Sequence, residues 1–178
     1  ALDRMVDAGV SGVEFAAPNT DPKTLATSRA AVRLQIGRRL TGGLGAGSDL
    51  EVGRQAAEDH RGELEDLCRD ADVVVVTAGE GGGTGTGAAP VLAAIARGMG
   101  ALTIGVVTRP FGFEGRRRAA QAEVGVQRLQ GCVDTLVVVA NDRLLVLADG
   151  ATSLVDAFGL ADEALSQGAV SYTHLTLP

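Results

Sequence analysis

One stretch constrains the fold more than any other: Val73-Val74-Val75-Val76, then Ala78-Gly79-Glu80, then Gly81-Gly82-Gly83-Thr84-Gly85-Thr86-Gly87. A β-branched run without polar alternation suits a strand covered on both faces, so it is expected to be central in a parallel sheet. The glycines then open a helix expected from about Ala88 to Arg97, with Pro90 in its first turn and Gly98 and Gly100 closing it. Plain flexible linkers rarely sit between a buried strand and such a helix. Successive main-chain N–H groups at this junction form a concave anion site, and glycine lets a phosphate approach the backbone without a Cβ in the way. The helix dipole supplies only about 0.3–1 kcal/mol, whereas micromolar binding needs about 8 kcal/mol. Several charge-assisted N–H bonds of about 1.5–3 kcal/mol each must therefore carry it.

The same alternation continues downstream. Strand Leu102 to Thr108, helix Glu114 to Gln130 and strand Thr135 to Val139 complete a βαβαβ order. Right-handed crossovers place helices on both faces and collect the loops Gly79 to Gly87, Arg109 to Phe113 and Ala140 to Arg143 at the carboxyl ends of the strands. Upstream, Leu2, Met5 and Val6 have helical spacing ending at Gly9, and Val13 to Ala17 reads as a short strand weakened by Pro18. Asn19-Thr20-Asp21-Pro22 reads as a turn, and Val32, Leu34 and Ile36 as a second strand. Five glycines from Gly37 to Gly47 predict a flexible loop, after which Asp49 caps one helix ending near Asp70. Ser153 to Gln167 is an amphipathic helix leading onward. The fold class is α/β: a Rossmann-like, mostly parallel sheet with helices on both faces.

Composition removes several functions. The chain is 46% apolar and 21% charged without a block of like charge, so a packed globule is expected. A formal charge of −6 disfavours an extended nucleic-acid footprint while leaving a small anionic ligand open. Cys68 and Cys132 have no CxxC or His spacing around them, which speaks against structural zinc and for a reduced, cytoplasmic chain. No apolar run reaches the roughly 18 residues of a membrane span, so no direct membrane insertion is expected.

Two named glycine motifs can be tested on the residues. A Walker A loop needs Lys directly before Ser or Thr, and the sole lysine, Lys23, is far from any such loop. The dinucleotide variant GxGxxA is matched by Gly83, Gly85 and Ala88, but no Asp or Glu occurs between Gly81 and Phe113 to take the ribose. A nicotinamide-dependent oxidoreductase domain is therefore the alternative reading, disfavoured by that gap.

The run Gly79 to Gly87, then Val107-Thr108-Arg109-Pro110-Phe111, Phe113-Glu114-Gly115 with Arg118, and Asn141-Asp142-Arg143-Leu144-Leu145 resembles the tubulin/FtsZ family of GTPases, in particular the bacterial cell-division GTPase FtsZ. The turn at Asn19-Thr20-Asp21 and the loop Gly43-Leu44-Gly45-Ala46-Gly47 fit the same family, and the match runs in order to about Val170. The resemblance implies that Gly81, Gly82, Gly83, Thr84, Gly85, Thr86 and Gly87 bind the phosphates of GTP or GDP, with Ala46 and Gly47 near the terminal one. It implies that Glu114 and Arg118 hold ribose and neighbouring phosphate, against the bland account of an ion pair of about 0.3–0.5 kcal/mol. Asn19 and Asp21, turn formers first, become nucleotide-loop residues only through the resemblance.

Guanine contacts are implied for Asn141, Phe158 and Asp162. The i, i+4 spacing of Phe158 and Asp162 lets a ring stack on a base while a carboxylate accepts from two adjacent donors. Guanine offers N–H groups at positions 1 and 2, whereas adenine has an acceptor at position 1. The family also implies magnesium with the nucleotide, head-to-tail homopolymers, division-machinery partners and a cytoplasmic place at the division site. Its hydrolytic acidic residues come from a loop beyond the central helix, so no catalytic residue is expected within this chain, and a first strand and another glycine-rich loop are expected ahead of it. Residues 1–170 then form a partial GTP-binding domain ending in the central helix. Residues 171–178 break the family pattern and read as a non-native tail, so Tyr172 and His174 receive no role. His60 reads as non-catalytic, and Arg116 and Arg117 as a solvated helix face.

Overall fold

Alternate residues of the valine run serve opposite layers of the protein. The computed structural model describes residues 2–7, 9, 12–147 and 153–176. In chain order the elements are α1 (Leu2–Asp7), β1 (Ala16–Asn19), α2 (Pro22–Thr27), β2 (Val32–Gln35), α3 (Arg38–Thr41), α4 (Leu50–Glu58), α5 (Arg61–Cys68), β3 (Val73–Gly79), α6 (Thr84–Gly98), β4 (Leu102–Arg109), a 3-10 turn (Gly112–Glu114), α7 (Arg116–Gln130), β5 (Thr135–Ala140), α8 (Asn141–Leu147) and α9 (Leu154–Thr176). The side chains of Tyr172 and His174, and residues 177–178, lie outside the described residues.

All strand pairs are parallel, in two groups: β1 with β2, and β3-β4-β5. On one face Val74, Val76 and Ala78 pack with Ala89, Ala93, Val126 and Leu129 of α6 and α7. On the other, Val73 and Val75 join Met5 of α1 and Leu165 and Ala169 of α9. A period of two therefore feeds both layers from an unbroken apolar run. Leu129 and Ile104 are almost wholly buried, each worth roughly 1.5–3 kcal/mol of transfer free energy.

The expectation of a hydrogen-bonded central strand needs correction. Among the described residues β3 bonds only to β4, and its other edge lines a cavity of about 740 Å³ whose opposite wall includes Ala16, Ala17 and Pro18 of β1. The order is thus β2-β1, cavity, β3-β4-β5, with the direction of winding reversed across the cavity. β1 also lies later than Val13 to Ala17. Phe15 and Asn19 carbonyls accept from Val32 and Ile36 N–H at 3.2 and 3.0 Å, so the odd-numbered residues carry the ladder to β2. Pro18 points its missing donor at the opposite edge, where it breaks no bond to β2.

Three helical expectations also shift. The helix expected from Asp49 to Asp70 is two, broken at Asp59–His60, where His60 has φ −116° and ψ 27°. The Nδ1 of His60 lies 3.3 Å from the Gly37 N–H and 3.0 Å from the Ala56 carbonyl, tying the break to the β2 end. Helix α6 starts at Thr84 rather than Ala88, so Thr84 to Gly87 are its first turn and Pro90 sits inside it. Packing against α4 overrides the low helix propensity of those glycines. The turn runs into α2, the flexible loop contains α3, and the Ala140 loop runs into α8, short helices that propensity over a few residues does not announce.

Asp49 caps α4 as expected, its carboxylate accepting from Glu51 and Val52 N–H at 2.9 and 3.4 Å. Asp49→Ala is expected to cost about 1 kcal/mol, read as a lowered denaturation midpoint with an unchanged slope. Restoration by Asp49→Ser would confirm the cap; no change in midpoint would refute it.

Candidate functional site

Because every strand runs the same way, the loops after β1, β3, β4 and β5 gather at one edge of the molecule. Thr20, fully buried at the end of β1, has its Oγ1 2.6 Å from Oγ1 of Thr84 in the first turn of α6, which joins the two sheet halves there. The edge at which strand order reverses is where open α/β sheets form ligand crevices.

The glycine loop is an amide cradle, but its glycines serve it differently from expectation. A Cβ on Gly82 would meet nothing within 4 Å, so this residue gives a phosphate clear approach. The others are glycine because protein fills the space. On Gly83 a Cβ would lie 2.8 Å from Ala46 Cβ and 2.8 Å from Asp49 O, and on Gly85 2.9 Å from Gly79 O. On Gly87 it would strike the Leu50 carbonyl, and on Gly81 it would lie 2.8 Å from Arg118 O. Gly81 also has φ +99°, a region that favours glycine. Among the described residues no acceptor takes the N–H groups of Gly82 or Gly83. The first N–H groups of α6 are unpaired by helix geometry, so a run of unengaged donors follows on from those of Gly82 and Gly83.

The same close packing brings Ala46 against Gly83, with Gly47 next along its loop. Their loop is held from the far side by Gln121, whose Nε2 donates to the Ser48 carbonyl at 2.7 Å. Asn19 and Asp21 act as turn formers: Asn19 Oδ1 accepts from Asp21 N–H at 3.1 Å, and Asp21 accepts from Lys23 N–H at 2.9 Å and the Thr24 hydroxyl at 2.8 Å. Those bonds, from the Thr24 hydroxyl first, hold the Asp21 carboxyl below its ordinary value.

Glu114 and Arg118 form an ion pair at 2.6 Å. It is not the intrahelical pair that a helix from Glu114 would give. Glu114 closes the 3-10 turn, Gly115 at φ +98° separates it from α7, and a second Glu114 oxygen accepts from Phe111 N–H at 3.0 Å. The pair reaches the cradle through the Arg118 backbone against Gly81.

Asn141 opens α8 directly after β5 and is buried, and among the described residues its Oδ1 has no partner. A buried acceptor left unpaired is costly, which marks it as a place where a ligand donor would be accommodated. Phe158, half exposed, meets Phe111 and Phe113 edge-on at centroid distances of 5.4 and 6.1 Å, while Phe111 and Phe113 stack at 4.9 Å. Asp162 lies one turn further along α9, half buried.

Few as they are, at 3% of the residues, the aromatic rings converge here. Sequence reading missed Thr20, Gln121 and Glu80. Glu80 is buried, among the described residues neither carboxyl oxygen has a hydrogen-bond partner, and burial pushes its carboxyl up to about 7. The Thr86 hydroxyl pulls the other way without forming a well-aligned bond to it, so burial decides. The available signal was a lone acid in an otherwise uncharged stretch from Val73 to Ala96.

Among the described residues no three His, Cys, Asp or Glu side chains converge as a metal cage, so no protein ligands are assigned to magnesium.

A parallel sheet that reverses order beside an amide cradle, with an aromatic cluster at the same edge, defines an α/β protein with an anion-suited crevice at its switch point. Residues 3–149 match the tubulin/FtsZ family, GTPase domain, and the chain belongs to that family. It is 41% identical to FtsZ of M. jannaschii, solved as an empty dimer, with a TM-score of 0.91 over 95% of this chain and 49% of that one. It is 25% identical to CetZ1 of Haloferax volcanii, a GDP-bound monomer, with a TM-score of 0.80 over 93% of this chain and 54% of that one. CetZ2 of the same organism, a GTPγS-bound protofilament, shares the fold at 23% identity and a TM-score of 0.83, over 96% of this chain and 53% of that one. The chain thus spans about half the length of these relatives.

Proposed function

We propose that the protein to which this segment belongs binds GTP, stacks head to tail into filaments and hydrolyses GTP at the junction between subunits by water attack on the γ-phosphate. The observation that carries the reading is the cradle of unengaged amides at the switch point of a tubulin/FtsZ GTPase domain. The Gly82, Gly83 and α6 N–H groups would hold the phosphates, with Ala46 and Gly47 near the terminal one. Glu114 and Arg118 would hold the ribose side, and Asn141, Phe158 and Asp162 the guanine. The FtsZ dimer and the CetZ2 protofilament among its structural neighbours support assembly into a homopolymer. A heterologous contact that does not close gives a filament, consistent with an active site completed by a neighbouring subunit. The FtsZ-like identity favours a role in cell division over a CetZ-like one. Cytoplasmic action at the division site, with division proteins as partners, belongs to the same proposal.

Among the described residues the cavity between β1 and β3 is bordered by two strand edges without partners, which one further parallel strand would join. That supports the expected first strand of the family lying there in the complete protein. The oxidoreductase alternative loses its footing with the family assignment.

The test is nucleotide choice. In the complete protein, Asp162→Ala is expected to reduce the preference for GTP over ATP by at least about a hundredfold, since two charge-assisted bonds of about 1.5–3 kcal/mol each are removed. Competition binding reads it directly. Unchanged selectivity would remove Asp162 from the base site, and absence of GTP or GDP binding would overturn the reading as a whole.

A further inference from the structure

Among the described residues Glu80 is the only buried acidic or basic side chain, and the phosphate cradle gives it no work on its binding face. Its backbone is fixed by the Glu80 N–H bond to the Thr108 carbonyl at 2.9 Å. Its side chain enters the seam between α6 and α7, where Gly125 makes room: a Cβ on Gly125 would overlap both Glu80 Oε2 and Thr86 Cγ2. Thr86 in turn accepts from the Gly81 N–H at 2.8 Å, deep in the fold. Carboxyl, hydroxyl and the Gly81 amide thus lie together at the start of the segment that carries the donors of Gly82 and Gly83.

The charged groups on the surrounding elements leave this carboxyl unneutralised. Helix α6 carries no charge before Arg97, and β3 carries none. On α7, Arg118 bonds to Glu114 at 2.6 Å, Glu123 pairs with Arg109 of β4 at 2.9 Å, Arg128 pairs with Glu51 of α4 at 2.6 Å, and Arg116 and Arg117 are exposed. Arg109 keeps a buried Nε without an acceptor, and Gln121, one turn before Gly125, keeps a buried Oε1 without a donor. A protonated Glu80 suits this seam. An ionised one would set a negative charge beside the Thr86–Gly81 anchor of the anion-facing loop, in a medium that screens poorly.

We propose that Glu80 is a proton-controlled positioning residue of the phosphate cradle: protonated, it fills the α6–α7 seam and leaves the amides free to attract polyphosphate, and ionised, it opposes polyphosphate by its charge. Loss of its proton to solvent as pH rises then weakens nucleotide binding. By linkage, bound nucleotide raises the proton affinity of Glu80 by the same factor. The inference rests on the nucleotide-binding reading above.

The test compares GTP and GDP affinities of the complete protein, wild type and Glu80→Gln, from about pH 5.5 to 8.5, a range that spans neutrality. The wild type is expected to lose about tenfold more affinity than the variant, the factor that one unit of coupled pKa shift represents. The nucleotide's own phosphate titration is common to both proteins and cancels. Parallel profiles would overturn the coupling and leave the nucleotide reading intact, whereas no binding at any pH would overturn both. Should Glu80→Gln fail to fold, carbon-13 titration of glutamate carboxyls in the wild type with and without GDP decides. A Glu80 titration moved to higher pH by GDP supports the proposal, and an unmoved one overturns it.

Discussion

Gly87→Ala is expected to abolish cooperative folding, or to lower stability by more than about 4 kcal/mol, the range reached only when a specific structural mechanism fails. A methyl at this position would run into the Leu50 carbonyl and lie 2.5 Å from Arg54 N and 2.9 Å from the Gly53 carbonyl carbon. Those are backbone atoms of α4, with no flexible side-chain end that could swing aside. Relief requires α4 and α6 to part, and their separation would open the cluster of Ile36, Ala56, Ala57, Leu64, Val91 and Ile95. Helices this close have no slack, since interiors are packed to crystal density. Urea denaturation measures the outcome. A variant with an unchanged midpoint would show that the helices separate freely and that Gly87 is glycine for some other reason.

The second large effect is on stability against pH. Burial raises the Glu80 carboxyl from its ordinary value of 4.5 to about 7 in the folded protein. Between those values the folded state keeps a proton that the unfolded state has released. Its contribution to stability is complete below 4.5, declines as pH rises through the window, and is lost above about 7. The size is about 3 kcal/mol, from about 1.4 kcal/mol per unit. Glu80→Met removes the titration and leaves an apolar side chain in the same seam. The stability of this variant relative to wild type is expected to grow by about 3 kcal/mol from pH 4.5 to 8. Denaturation curves of both proteins across that range check it. A difference that stays constant with pH would mean that Glu80 ionises as freely in the folded chain as in the unfolded one.

These two results bear on what the glycine-rich loop is for. Four of its glycines are required by contacts with α4, α7, β3 and the Ala46 loop, and Gly82 alone has open space before it. The cradle is therefore stiff. Its donors are held by packing rather than gathered by a ligand, which lowers the ordering cost of binding an anion. The same tightness makes Glu80 consequential, because a closely packed seam solvates its charge poorly.

The residues carried much of this by themselves. Apolar runs, glycine punctuation and the βαβαβ order specified a parallel α/β sheet, and the ordered motifs from Asn19 to Asn141 pointed to the tubulin/FtsZ family that residues 3–149 match. Such signals are local: a β-branched run or a capping aspartate acts within a few residues of itself. Tertiary contact decided the rest. Helix α6 takes in Thr84 to Gly87 because α4 presses on Gly83 and Gly87, and the Asp59–His60 break is tied to Gly37. Phe111, Phe113 and Phe158 become one cluster only when β4 and α9 meet. Glu80 looks like any loop acid in the linear chain; its burial and its want of a partner come from Gly125, more than forty residues away. Desolvation depends on what surrounds a group in space, and chain order does not encode that neighbourhood.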